Sequence, residues 1–316
     1  MTGAVSLQNV SLSLNNNNKF IGNMVKRNGA GILSSGCRLV TISSTKFINN
    51  TASYGTGVYA EHVGVIKIIA STFARNVAKD RFNSELKKIK LKQSKNGGAI
   101  FINKSVTVAV IMSAFFNNIA WENGGSLYVN CCTFVLVSEV HSLGNIAHCR
   151  GGVAYVENIN LFAVRNSSFS NNTAKSYKYA KGGAFQAKLC HNVSVVHSKF
   201  LRNSVTGDGG CIYVQMTHLL NVKHSIFLGN SAGDSGAAIA GKENTVGIMI
   251  VIKSFCLKNK AVEDGGAIIA RNKIATVIFN SSFKSNSALD DGGAIDVENR
   301  QVAKILCSSF IGNTAR

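Results

Sequence analysis

Gly97-Gly-Ala-Ile-Phe-Ile-Asn-Lys-Ser-Val-Thr-Val-Ala-Val-Ile-Met-Ser-Ala-Phe-Phe-Asn-Asn118 carries the features that decide the fold. After the glycine pair, Ile100 and Ile102 alternate with Phe101 and Asn103, the period-two signature of a strand with one buried face. Val106 to Ile111 is a β-branched run, and Phe115 and Asn118 close the stretch as Phe-x-x-Asn. No helical periodicity of comparable length occurs anywhere in the chain.

The same unit recurs along the sequence. Phe-x-x-Asn returns as Phe20/Asn23, Phe47/Asn50, Phe73/Asn76, Phe115/Asn118, Phe169/Asn172, Phe200/Asn203, Phe227/Asn230, Phe283/Asn286 and Phe310/Asn313. Asn145 and Asn259 keep the beat with Ser142 and Cys256 in place of the phenylalanine. Successive asparagines lie 26 to 31 residues apart, except for a step of 42 between Asn76 and Asn118. The glycine pair follows the same period at Gly97, Gly124, Gly151, Gly182, Gly209, Gly265 and Gly292, with looser versions near Gly29, Gly55 and Gly236.

A period of about 27 residues fits a leucine-rich horseshoe, a helical array or a β-helix, and the strand-type residues choose the last. The expected fold is all-β: a single-stranded, right-handed parallel β-helix, a solenoid of about eleven coils of about 27 residues, forming one domain over residues 1–316. Glycine allows tight corners and close approach between coils. Asparagine tolerates a left-handed backbone and can bond its neighbours in the stack. Phenylalanine fills the interior, and Thr45, Ser71, Ser113, Ser167, Ser198, Ser225, Ser254, Ser281 and Ser308 suggest a hydroxyl ladder.

The totals agree. The chain has 316 residues, 30 Gly, no Pro and 46% hydrophobic residues, too apolar for a disordered polymer. No apolar run reaches the roughly 18 residues of a membrane-spanning helix. The N-terminal residues lack the pattern of a secretory signal, and both ends look like cuts through a repeat. Net charge is +19, which points to polyanionic partners. Residues 79–95 hold part of that charge as a basic inserted loop containing Lys87, Lys88, Lys90 and Lys92.

The pairing of Gly-Gly-Ala-Ile with Phe-x-x-Asn at one period resembles the polymorphic outer membrane proteins of chlamydiae, from Phe20 to Asn313. That resemblance implies an autotransporter passenger: a β-helical rod at the cell surface or outside it, acting in adhesion. It brings no catalytic residues. The family's signal peptide and C-terminal barrel are absent from this sequence, and so high a positive charge is unusual for an exported passenger.

Four sets of residues are candidates for function. Asp208, Asp234, Asp264 and Asp291 precede glycines in four consecutive coils; stacked carboxylates repel, and Ca²⁺ would relieve them. The plainer reading is that Asp before Gly is a turn residue. Phe101, Tyr128, Tyr155 and Tyr213 alternate with core positions, so they are expected to form an outward aromatic stripe for glycan stacking or partner docking; the plainer reading is cross-strand packing. Lys87, Lys88, Lys90 and Lys92 suit a polyanion, or are simply a solvated loop. His191/His218 and His197/His224 should stack on adjacent coils, an incomplete metal site.

The eight cysteines include no pair at coil spacing and are expected to be mostly free and buried. The leading functional expectation is a non-catalytic, adhesin-like rod binding a glycan, polyanion or surface protein, and end-to-end self-association is compatible with it. Specific nucleic-acid recognition is not expected. The rival is a polysaccharide lyase or hydrolase acting on acidic glycans, with Asp264, Asp290 and Asp291 as its first candidates.

Overall fold

The structure, a computed structural model, describes residues 3–14, 17–79, 95–176, 180–242, 247–298 and 302–316. Among these the regular structure is all strand, and every pairing is parallel. In one turn, Ile100–Asn103 and Thr107–Ile111 form a long face, Ala114–Phe116 a second face and Ile119–Ala120 a short third. Each strand pairs with its equivalents one turn away: Phe101 with Tyr59 and Tyr128, Val110 with Ile68 and Val137, Phe115 with Phe73 and Ser142.

The turns stack into a β-solenoid. An eleven-stranded sheet runs through the phenylalanine positions and an eight-stranded sheet through the short strands. The long face forms a twenty-stranded sheet, because Leu127–Ser138 and Ala154–Arg165 continue through a corner that elsewhere divides it.

The buried asparagines explain why the period is so strict. Asn50 Nδ2 donates to the carbonyl of Phe20 at 2.9 Å and to Asn76 Oδ1 at 3.0 Å, while Asn50 Oδ1 accepts from the backbone N–H and Nδ2 of Asn23. The same link repeats from each asparagine to the next as far as Asn313. Only a primary amide offers an acceptor and two donors in one short planar group. An aspartate could accept but not donate, and an aliphatic residue would leave buried N–H groups unpaired at about 1–3 kcal/mol each.

These asparagines do not adopt the left-handed backbone. That conformation falls one residue earlier, at Gly22, Asn49, Arg75, Asn117, Gly144 and Asn171, with φ between 52 and 68°. The bend must occur where the side chain points out, so that the next one can enter the ladder. The hydroxyl ladder also differs in detail from direct hydroxyl-to-hydroxyl contact. Ser71 Oγ donates to the carbonyl of Ile69 and accepts the N–H of Thr45 at 3.2 Å, so each hydroxyl ties a corner to the turn before it.

The two glycines of the repeated pair do different work. Gly97 sits at φ +67°, whereas Gly98 lies so close to the next turn that a Cβ there would be 2.0 Å from the carbonyl oxygen of Gly125.

The interior is a column of stacked phenylalanines, with Phe20, Phe47 and Phe73 spaced by 4.9 and 4.7 Å. Ser142 and Cys256 occupy the phenylalanine register as the motif spacing requires. Near Ser142 a cavity of about 10 Å³ remains between Phe115, Phe169 and Phe185, and Phe185 packs edge-on against Phe169 at 4.5 Å. No disulfide forms among the described residues; Cys37, Cys132, Cys190, Cys211 and Cys256 are buried and Cys131 and Cys307 exposed.

Candidate functional site

The aromatic stripe forms, but it is not a surface. Tyr59, Phe101, Tyr128 and Tyr155 pair in sequence along the long face, with ring centroids 5.0, 4.9 and 5.4 Å apart. They point away from the core, as strand alternation requires. Yet Phe101 is 9% exposed, Tyr155 2% and Tyr213 1%, and Tyr128 is only partly exposed.

The cause is the glycine corner, which folds over this face. A Cβ on Gly55 would lie 2.7 Å from the Cβ of Phe101, and one on Gly209 would lie 3.0 Å from that of Tyr213. Tyr155 donates its hydroxyl to Glu157, Lys181 lies over the Tyr213 ring at 5.2 Å, and burial pushes the Tyr128 phenol up to about 12. The expectation of an exposed docking stripe is therefore corrected: these rings pack between turns.

The carboxylate series is also corrected in register. Lys181 bridges to Asp208 across adjacent turns, and the next residue in line is Ser235, whose N–H donates to Asp208 Oδ1 at 3.2 Å. Asp234 stands one place earlier and is partly exposed. The glycine after it, Gly236, carries the positive φ of the first glycine of a pair, which shifts the apparent motif by one. The ladder therefore reads Asp208, Ser235, Asp264, Asp291.

Two nodes emerge on it. Asp208 is 2% exposed and held by Lys181 and by Lys242 at 2.6 Å. Burial would raise its carboxyl, but the two lysines outweigh burial and hold it below the usual carboxylate range. At Asp208 the neutralising charges are those of Lys181 and Lys242.

The second node is built around Arg271. Its guanidinium reaches Asp264 at 2.6 Å, Asp296 at 3.6 Å and Glu298. Burial first, then the charge of Glu298, pushes the Asp296 carboxyl up to about 6. Carboxylate oxygens of Asp264, Asp296 and Glu298, and separately of Asp264, Asp290 and Asp291, lie within 4.8 Å of one another. The motif spacing could not show this grouping, because Asp296 belongs to the long face and not to the glycine corner.

His191 and His218 stack at 5.0 Å and His197 and His224 at 4.7 Å, as their spacing implied. Lys87, Lys88, Lys90 and Lys92 lie outside the described residues; Lys79 and Lys95, at the two ends of that stretch, are described. Beside Lys95 is a feature the repeat pattern did not reveal. Trp121, 51% exposed, stacks on His148 at 5.5 Å, with Lys95 Nζ 5.9 Å from its ring. The one available signal was that Trp121 is the single tryptophan in the sequence.

Residues 280–298 match the family model of the Chlamydia polymorphic membrane protein repeat. The matched segment contains Phe283, Asn286 and Gly292 to Ile295, both halves of the motif on which the resemblance rests. No curated protein and no solved structure gives a significant match.

Proposed function

We propose that this chain is an adhesive, non-catalytic rod displayed on a cell surface, which engages a host, matrix or glycan partner through its corners and inserted loops. The match to the membrane-protein repeat supports the surface setting. The observation that carries the reading is the division of labour between positions. Polar groups that recur in every turn are consumed within the stack, as with Asn50 and Asn76 or Ser71 and Thr45. The corner residues, among them Arg75, Lys104, Met112, Glu139, Leu189 and His224, follow no chemical rule beyond accepting a positive φ. Variable side chains on a fixed frame suit recognition, and a net charge of +19 biases the partner toward polyanions.

The test is a panel of immobilised glycans and polyanions probed with the purified chain, with and without Ca²⁺, followed by mass analysis of any ligand bound. Saturable binding with an unchanged ligand is the expected result. A cleaved ligand would overturn the non-catalytic reading, and failure to bind any member would overturn the adhesive one.

One observation favours a second reading, a polysaccharide-processing enzyme. Asp296, raised to about 6, sits beside Asp264, Glu298 and the cation of Arg271, the combination of proton-holding acid, ionised carboxylate and substrate clamp that such chemistry uses. New reducing ends released from an acidic polysaccharide near pH 5.5, and lost in Asp296→Asn, would establish it.

A further inference from the structure

From Lys79 onward, the residue that follows each short strand forms an outward column along the rod. Successive members bond to the turn before: Lys79 to Ala52, Trp121 to Ala78, His148 to Ala120, Lys175 to Ala147 and Thr206 to Ala174. The column therefore runs cation, indole, imidazole, cation, hydroxyl, at the roughly 4.8 Å spacing of parallel strands. Beyond Thr206 it continues as Gly233 and Val262, with no charge.

Trp121 covers one face of His148. Toward the turns that follow is an open pocket of about 460 Å³ lined by His148, Lys175, Ser176 and Thr206, within the roughly 300–1,000 Å³ of small-ligand sites. Its wall is fixed, because Thr206 Oγ1 accepts the N–H of Ser176 at 3.1 Å and donates to its carbonyl at 2.7 Å. Lys175 is exposed and makes no ion pair among the described residues. The neighbouring acid, Glu122, acts on Tyr54 and Tyr128, on the stripe side of its segment.

We infer that this pocket is a binding site for a short acidic saccharide, with a carboxylate or sulfate group on Lys175 and a sugar ring against the imidazole of His148, which Trp121 holds in place. The inference rests on the adhesive reading and gives it a location and a ligand class. Burial, and then the charge of Lys175, hold the imidazole below its ordinary range. It is neutral at pH 7 and offers one donor and one acceptor, a match for sugar hydroxyls. A polynucleotide would need cations that continue along its backbone, and the column beyond Lys175 supplies none.

The experiment uses the only tryptophan as its reporter. The full chain is titrated with a heparin-derived tetrasaccharide, with its desulfated, N-acetylated counterpart and with an oligothymidylate of equal charge, following Trp121 emission and ligand binding together. The expected result is a saturable emission change with the sulfated saccharide. Lys175→Gln, at an exposed position that should fold normally by circular dichroism, weakens binding about tenfold, the loss of one charge-assisted hydrogen bond. Replacing Lys87, Lys88, Lys90 and Lys92 together by Gln leaves the Trp121 response in place.

Saccharide binding that leaves Trp121 silent, or that ignores Lys175→Gln, overturns the site while leaving the adhesive rod standing. Tighter binding of the oligothymidylate overturns the ligand class. Loss of the response on the quadruple change moves the site to residues 79–95. A tetrasaccharide that does not bind overturns the inference alone if the chain still captures another member of the glycan panel, and overturns both if it captures none.

Discussion

Asp208 and Asp264 hold equivalent places on one ladder, two turns apart, yet their surroundings are opposite in charge. Each carboxylate accepts a backbone N–H from the next turn, from Ser235 in one case and Asp291 in the other. Around Asp208 two lysines answer one carboxylate. Around Asp264 one arginine answers three. The repeat fixes the position and its backbone bond. The long-face residues, Lys242 in one turn and Asp296 and Glu298 in another, decide whether the node is neutralised or left with an acid whose proton is held more tightly than usual. A ladder position is therefore a structural constant whose chemistry is set by a neighbour outside the motif.

Removing the charge of Asp208 should give the largest effect. Asp208→Asn leaves Lys181 and Lys242 facing each other with only the partly exposed Asp234 to offset their charge, and weakens the acceptor for the Ser235 N–H. The lysine side chains retain 23% and 14% exposure, so water recovers part of the loss, and a cost of about 2 kcal/mol is expected. Chemical denaturation at pH 7 measures it. Unchanged stability would show that the two lysines, not the carboxylate, set the local structure.

Arg271→Gln should cost less, about 1 kcal/mol at pH 7, because this node is more open to water. Its signature is the pH dependence. As pH falls toward 5 the Asp296 carboxyl takes up a proton, one of the three repelling charges disappears, and the gap between variant and parent narrows. A constant gap would mean that Arg271 contributes packing and hydrogen bonds in place of charge.

The sequence makes some of this plain and hides the rest for identifiable reasons. Asn50, Phe47 and Gly98 are legible because each answers a requirement repeated in every turn, so periodicity alone exposes them. The burial of Phe101 and Tyr213 was not legible: alternation gives the direction of a side chain, but not what the glycine corner lays over it. Asp234 was misplaced because Ser235-Gly236 lacks the second glycine that anchors the count. Several glycosylation-type sequences arise from the same grammar. Asn49, Asn166, Asn171 and Asn280 are corner residues of positive φ, followed by a ladder residue and a serine or threonine. Arg271, Asp296 and Trp121 stand at positions whose residue type changes from turn to turn, and only the stacking of turns brings each to its neighbours.

The smallest effect should come from Asp296→Asn, and it separates the nodes by sign. The Asp296 carboxyl stands near 6 in the folded chain, against an ordinary value of 3.8. Folding therefore takes up a proton between these two values, and the contribution of Asp296 to stability is greatest below about pH 4 and is lost as pH rises through 6. Asp208, whose folded value is lowered, works the other way: its contribution is full above about pH 4 and is lost as pH falls below it. Asn at 296 cannot titrate, so the variant should gain slightly on the parent at pH 7 and lose the decline between pH 4 and 6, while the acid limb that belongs to Asp208 stays. Denaturation midpoints at pH 4, 5, 6 and 7 for both chains measure this. If the decline persists in Asp296→Asn, the proton sits on another group of the node, and the charge imbalance around Arg271 is shared among its carboxylates without settling on one.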